Sequence, residues 1–246
     1  MKFIGYFPFG YPNIKESVRS IELYVEEGCN ALEISIPIYD APGESPMIVD
    51  FMNKALDNCS DYDVYLEEIS KFRKKHPDVE INLLVFFKTI LEIGIDKFVE
   101  FYKDNNINAL ITPHAADFIN EKEEMKKKGC SFFTSFHYSV DEKELEECLK
   151  PNTVIYMTAF PPAWATDIKE GYSRPKQLVD YLRGHGVSAP IYAGVGINTP
   201  EKAREVRDAG ADGFFVGGSI MSLIGQDDKL REAIRTYIEA GLWKKN

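Results

Sequence analysis

Seven times along this chain a charged, amphipathic stretch ends near a glycine, an asparagine or a proline, a few small residues follow, and a short apolar run begins. The segments are EEGCNALEISI from Glu26, HPDVEINLLVF from His76, DNNINALIT from Asp104, KKKGCSFFTS from Lys126, LKPNTVIYMT from Leu149, RGHGVSAPIYAGVG from Arg183 and RDAGADGFFVGGS from Arg207. A glycine just past a helix end supplies the left-handed residue that closes the helix. Short apolar runs without polar alternation suit strands buried on both faces, as in a parallel sheet. With the opening KFIGYF the strands number eight, and helical stretches such as Ile14–Glu27, Gly94–Lys103, Pro175–Arg183 and Pro200–Ala209 separate them. Eight strands alternating with helices predict an α/β fold, a (β/α)₈ TIM barrel; an open doubly wound sheet is the competing arrangement. The 246 residues match the size of one such barrel, and no linker rich in Pro, Gly or Ser divides them, so residues 1–246 are expected to form a single domain.

Charge narrows the function. The 39 acidic residues outnumber the 29 basic ones, giving a formal charge of −10. That balance argues against nucleic acid or an anionic membrane as the main partner, while leaving room for a local anion site built from backbone amides. No run approaches the roughly 18 apolar residues of a membrane span, and MKFIGYFPFGYPN is too short and too aromatic for a signal peptide. Cys29, Cys59, Cys130 and Cys148 form no CxxC pair and no zinc spacing, so free thiols, no metal and a cytoplasmic location are expected.

Chemistry concentrates where strands end. Two long loops, Pro37–Pro46 after the second strand and Ala159–Ser173 after the sixth, would both lie at the catalytic mouth of a barrel. The seventh strand runs into GVGINTPEK, where Thr199 reads as an N-cap and Pro200 as the first helical residue. Gly194 and Gly196 there clear room for close backbone approach. The eighth strand runs into Gly217, Gly218 and Ser219 at the start of a short helix, whose amides suit a phosphate dianion. In NALEISIP, strand alternation puts Glu33 on one face with Ala31 and Ser35. A carboxyl aimed into a barrel interior is costly unless it works, and desolvation raises its pKa toward the range where it both gives and takes a proton. Glu44, on the loop behind, offers a second carboxylate; Asp40 can cap that loop instead.

These stretches resemble the tryptophan synthase alpha subunit family. The resemblance runs through FIGYFPFGYPN, ALEISIPIYDAPGESP, LLVFF, GIDKF and GVGINTPEKAREVRDAGADGFFVGGSI, most of the chain. It implies retro-aldol cleavage of indole-3-glycerol phosphate, or a close phosphorylated analogue, to indole and glyceraldehyde-3-phosphate, with no cofactor. Matched by motif, Glu33 takes the role of the proton-transferring acid. Glu44 stands where the family has a loop Asp that binds the indole N–H, and Tyr156 where it has an active-site Tyr. Gly196, Gly218 and Ser219 fall on phosphate-binding positions, and Tyr6, Phe86, Lys88, Gly194, Ile197 and Gly217 complete the expected substrate contacts. The chain departs from the family in both mouth loops. TAFPPAWATDIKEG replaces a Ser-Arg-x-Gly-x-Thr-Gly stretch, and Pro42-Gly43 replaces a Leu-Ala-like pair. Those loops help form the family's contact with a beta subunit, so the implied beta-subunit partner is weighed against their divergence.

Three further side chains invite roles. Lys88 follows the third strand, where a Schiff base would give a different aldolase acting on another sugar phosphate; a solvated Lys at a helix start is the plainer reading. His114 and His137 follow the fourth and fifth strands, as rim acids or bases or as loop hydrogen-bonders. Phe86 or Phe87, Phe160 and Trp164 could wall an aromatic pocket. A non-catalytic barrel that binds a phosphorylated ligand is the remaining alternative, and Glu33 speaks against it.

Overall fold

The computed structural model describes residues 1–162 and 165–242. Its eight strands are β1 (Lys2–Pro8), β2 (Ala31–Ser35), β3 (Glu80–Leu84), β4 (Leu110–Ile111), β5 (Phe133–Phe136), β6 (Val154–Thr158), β7 (Ile191–Gly194) and β8 (Gly213–Val216). All pairs are parallel, in the order β4-β3-β2-β1-β8-β7-β6-β5. A parallel bridge between Leu110 and Phe132, with the Leu110 amide donating to the Ser131 carbonyl at 2.9 Å, joins the two ends of that order. The sheet therefore closes into a barrel, and the open-sheet alternative falls away.

Helices α1 (Ile14–Glu26), α2 (Pro46–Asn58), α3 (Tyr62–Lys75), α4 (Phe87–Ile93), α5 (Ile95–Asp104), α6 (Ile119–Lys127), α7 (Glu142–Cys148), α8 (Pro175–Gly184), α9 (Pro200–Ala209), α10 (Gly218–Met221) and α11 (Asp227–Gly241) link the strands. Their ends follow from local chemistry. Asn13 caps α1 by accepting from the Glu16 amide, and Thr199 caps α9 by accepting from the Lys202 amide. Gly210, at φ +92, closes α9 in the left-handed region, its amide bonded to the carbonyls of Val206 and Arg207. The expected DNNINALIT strand keeps only two ladder residues in β4; Pro113, with no amide to donate, follows directly after Thr112. None of the described helices is long and apolar enough to cross a membrane.

Alternation divides each strand between two environments. Phe7, Leu32, Ile34, Ile81 and Leu83 face the helices and are fully buried. Ile4, Ala31, Ala109, Phe133, Tyr192 and Phe215 meet inside the barrel. There Phe215 lies 4.9 Å from the Tyr156 ring and 5.8 Å from Phe133, centroid to centroid. Below them Lys2 pairs with Glu80 at the N-terminal end, where Asn108 also bonds Asn82 at 2.8 Å. The interior is thus a filled core whose aromatic layer forms the floor of the space above it.

Candidate active site

Glu33 sits at the middle of β2, paired in register with Tyr6 on β1 and Asn82 on β3. Its side chain lines a cavity of about 600 Å³ at the C-terminal mouth, yet the residue is only 5% exposed. Burial, and secondarily the negative charge of Glu44, push its carboxyl up to about 8. The inward placement expected from alternation is therefore what the fold produces, and the desolvation has the expected sign.

Glu44 reaches the same cavity from the loop between β2 and α2. Several contacts hold that loop. Ala41 is buried beneath it, and Asp40 exchanges bonds with Asn53 on α2, at 2.9 and 3.1 Å. Ser45 caps α2 immediately after Glu44. Gly43 lies at φ +75 against the His114 ring, where an added Cβ would come within 2.4 Å of Nε2. Burial raises the Glu44 carboxyl, and His114 partly opposes that rise. His114 thus supports the acidic loop from behind and does not itself line the cavity.

Tyr156 enters from β6 half-buried, its pKa raised by desolvation first and by Glu33 and Glu44 next. Gly194 has a different task from the one expected. It does not line the cavity; a Cβ there would fall 2.1 Å from the Tyr156 hydroxyl oxygen, so the bare backbone makes room for the phenol.

Two turns close the opposite side. After β7, Val195 and Gly196 take successive left-handed conformations, at φ 61 and 77, before Ile197 and Asn198 reach the Thr199 cap. Such a φ is a true outlier for a β-branched residue. Lys202 donates to the Gly196 carbonyl at 2.9 Å and lies 4.9 Å over the Phe160 ring. After β8, Gly217 precedes α10, whose first amides at Gly218 and Ser219 have no acceptor within the helix. The Ser219 hydroxyl is 2.9 Å from that of Tyr237 on α11. Gly196, Ile197, Gly217, Gly218 and Ser219 all line the cavity that holds Glu33.

Not every expected contact arrives there. Phe86 is the cap residue of α4, buried beside Leu84 and Met52 outside the cavity wall. Phe87 opens α4 and stacks on Phe118 at 5.3 Å. Lys88, the second residue of that helix, is exposed and away from the cavity, which removes the support for a Schiff-base aldolase. Phe160 lies behind Gly196, and Trp164 falls outside the described residues. Conversely, Ser135, Thr158, Asn198 and Lys122 line the cavity although the sequence reading left them out. Ser135 and Thr158 lie two positions beyond inward-facing Phe133 and Tyr156, so alternation could have found them; Lys122 comes from α6 and carries no such signal. His137 lines the wall with its Nδ1 held 2.5 Å from Glu144, and that bond raises its pKa. Among the described residues no group of three His, Cys, Asp or Glu side chains is placed to hold a metal.

An eight-stranded α/β barrel with two carboxyls and two glycine turns facing each other across its C-terminal mouth defines a class of barrel lyases acting on small molecules. Within that class the chain belongs to the tryptophan synthase alpha chain family, whose family model matches residues 1–245. The tryptophan synthase alpha chain of Aquifex aeolicus is 28% identical over 228 residues, covering 91% of this chain and 86% of the relative. That of Leptospira biflexa is 28% identical over 251 residues, covering 96% and 91%. A solved structure from Aquifex aeolicus superposes with a TM-score of 0.82 at 26% identity, covering 97% of this chain and 92% of that one. The tryptophan synthase alpha subunit of Legionella pneumophila, at 21% identity and a TM-score of 0.79 with 98% and 92% covered, shares the fold.

Proposed function

We propose that the chain cleaves indole-3-glycerol phosphate, or a close phosphorylated analogue, to indole and glyceraldehyde-3-phosphate by a retro-aldol reaction. The observation that carries this reading is the buried, proton-holding Glu33 facing two amide-rich turns across one cavity. The phosphate would lie on the turns at Gly196–Ile197 and Gly217–Ser219, where helix-start amides and the dipole of α10 favour negative charge.

Glu33 begins as the acid. It gives its proton to the ring carbon that bears the glycerol chain, and the ring nitrogen takes up the positive charge. The Glu44 carboxylate accepts a hydrogen bond from that N–H, stabilising charge as it develops. The Glu33 carboxylate left behind then removes the proton of the hydroxyl on the adjacent carbon. The carbon–carbon bond breaks, its electron pair returns to the ring, and the oxygen becomes the aldehyde. Glu33 ends protonated, ready for another turnover. Tyr156 stands over the same space and would orient the ring.

Residues 1–246 would act as one catalytic unit in this scheme. A tryptophan synthase beta chain is the partner the family suggests, and the loops spanning 36–45 and 159–174 are the surfaces it would meet; co-elution of the two purified chains tests that pairing. The central test is indole release from indole-3-glycerol phosphate. The wild-type protein is expected to release indole, and Glu33→Gln to lose about 10²- to 10⁴-fold in kcat, the range for a removed general acid–base. A wild-type protein that releases no indole would end this reading.

A further inference from the structure

Lys202 breaks two local rules. Thr199 caps α9 and Pro200 opens it, so Lys202 is the third helical residue, where a glutamate or glutamine would complete a reciprocal cap. A cation there also opposes the helix dipole, whose positive end lies in the first turn. A residue that forgoes both gains is expected to hold something else. Its backbone amide donates to the Thr199 hydroxyl at 3.4 Å, while its ammonium turns back and donates to the Gly196 carbonyl at 2.9 Å. The ammonium lies 4.9 Å over the Phe160 ring and makes no ion pair with any described carboxylate. Phe160 in turn fills the space behind Gly196, where an added Cβ would come within 2.9 Å of the Phe160 Cβ.

The Gly196 carbonyl and the Ile197 N–H are the two ends of one peptide unit. That unit is planar and trans, so its carbonyl and its N–H point in opposite directions. Fixing the carbonyl on Lys202 therefore fixes where the amide points, away from the ammonium. Gly196 and Ile197 line the cavity that holds Glu33, and Lys202 lies outside its wall. The Asn198 amide is spent on the same Gly196 carbonyl, at 3.1 Å, whereas the Ile197 amide makes no hydrogen bond with a described group. Val195 and Gly196, at φ 61 and 77, follow a course that a chain keeps only where contacts retain it. The charge on the carbonyl also polarises the peptide, which makes its N–H a stronger donor.

We propose that Lys202 is a positioning residue for the phosphate of the substrate: by holding the Gly196 carbonyl outward it turns the Ile197 amide toward the phosphate and strengthens it as a donor. The inference rests on the phosphate placement given above and is independent of the carbon–carbon chemistry. Lys202 does not touch the substrate; it acts through one peptide unit. Among the described residues the two turns bring no lysine or arginine into the cavity wall, so the aim and polarity of their amides set how well the dianion is held. The phosphate keeps its charge and its place while the carbon–carbon bond breaks. The contribution of Lys202 is therefore made alike to substrate and transition state, and it belongs to affinity and not to the rate of the chemical step.

Lys202→Met tests this, since it keeps an apolar stem over Phe160 and removes the ammonium. In cleavage of indole-3-glycerol phosphate it is expected to raise KM, and the inhibition constant of inorganic phosphate, by about 5- to 20-fold, with kcat within about threefold. The inhibition constant of indole, which carries no phosphate, is expected to stay within about twofold, whereas general damage to the barrel would raise both constants. Lys202→Arg, which keeps the charge and reaches the same carbonyl, is expected to recover most of the phosphate affinity. An unchanged phosphate constant in Lys202→Met, a loss shared equally by indole, or a Lys202→Arg protein as impaired as Lys202→Met overturns the proposal and leaves the retro-aldol reading intact. Titration calorimetry with inorganic phosphate makes the same comparison without turnover, so a wild-type protein that releases no indole ends the retro-aldol reading alone. A wild-type protein with no affinity for phosphate overturns the role of Lys202.

Discussion

At the scale of single residues the chemistry turns on where the proton of Glu33 sits. Its carboxyl titrates near 8, so at neutral pH most molecules hold the acid form that the first step requires. The alkaline limb of kcat is therefore expected near pH 8, with activity falling as pH rises through it, and a pH–rate profile checks this. Glu44 contributes to that value through like-charge repulsion. Glu44→Gln should shift the limb to lower pH, because ionising Glu33 then meets less opposing charge, in addition to lowering kcat; a limb that moves upward contradicts this coupling. Glu33 was legible because a lone acid inside an apolar alternating run has few structural uses. Lys88 is the solvated lysine at a helix start that was the plainer reading; only its place among the substrate contacts fails, because a position just after a strand looked like a position at its mouth. In fact β3 ends at Leu84 and α4 starts at Phe87, so the two-residue period had already given way to a helical turn that carries Lys88 outward.

At the scale of elements, the mouth is built from stiff turns. The loop carrying Glu44 is tied to α2 through Asn53 and backed by His114, which holds an acid in place that the sequence alone left free. Gly194 is the tightest joint between β6 and β7. Gly194→Ala would drive a methyl to within 2.1 Å of the Tyr156 oxygen, forcing the phenol off its position. A loss of about 1–3 kcal/mol in unfolding free energy, measured by denaturant titration, is expected together with reduced kcat. Helix starts were readable from their caps: Thr199 followed by Pro200 marks α9 in sequence and in space. The positive φ of Val195 was not, since a left-handed valine has no sequence signature.

For the whole molecule, the repeating glycine-stopped helix and apolar strand revealed the architecture, because each unit must bury its faces against its neighbours. Ring closure was less visible, as it depends on the meeting of β4 and β5, elements whose own residues form a minimal ladder. Stability carries the mark of the active site as well. Glu33 ionises near 4.5 when unconstrained and near 8 in the folded chain, so between those values the native state binds the extra proton. Stability should accordingly fall as pH rises across that window, by about 3–4 kcal/mol between pH 5 and 8 from this group alone. Glu33→Gln should lack that slope and exceed the wild type in melting temperature at pH 8; parallel melting curves for the two proteins across pH would contradict this.

The Leu110–Phe132 bridge makes the barrel resemble a hoop fastened by a single rivet, set roughly across from the turns that would grip the phosphate. Thermal breathing should gather at that fastening, with Leu110 exchanging its amide hydrogen for deuterium sooner than Leu32 or Ile34 in the doubly flanked β2. The rim on the side of Ser135 and His137 would then yield first to a bulky guest, while the side that grips its tail stays rigid.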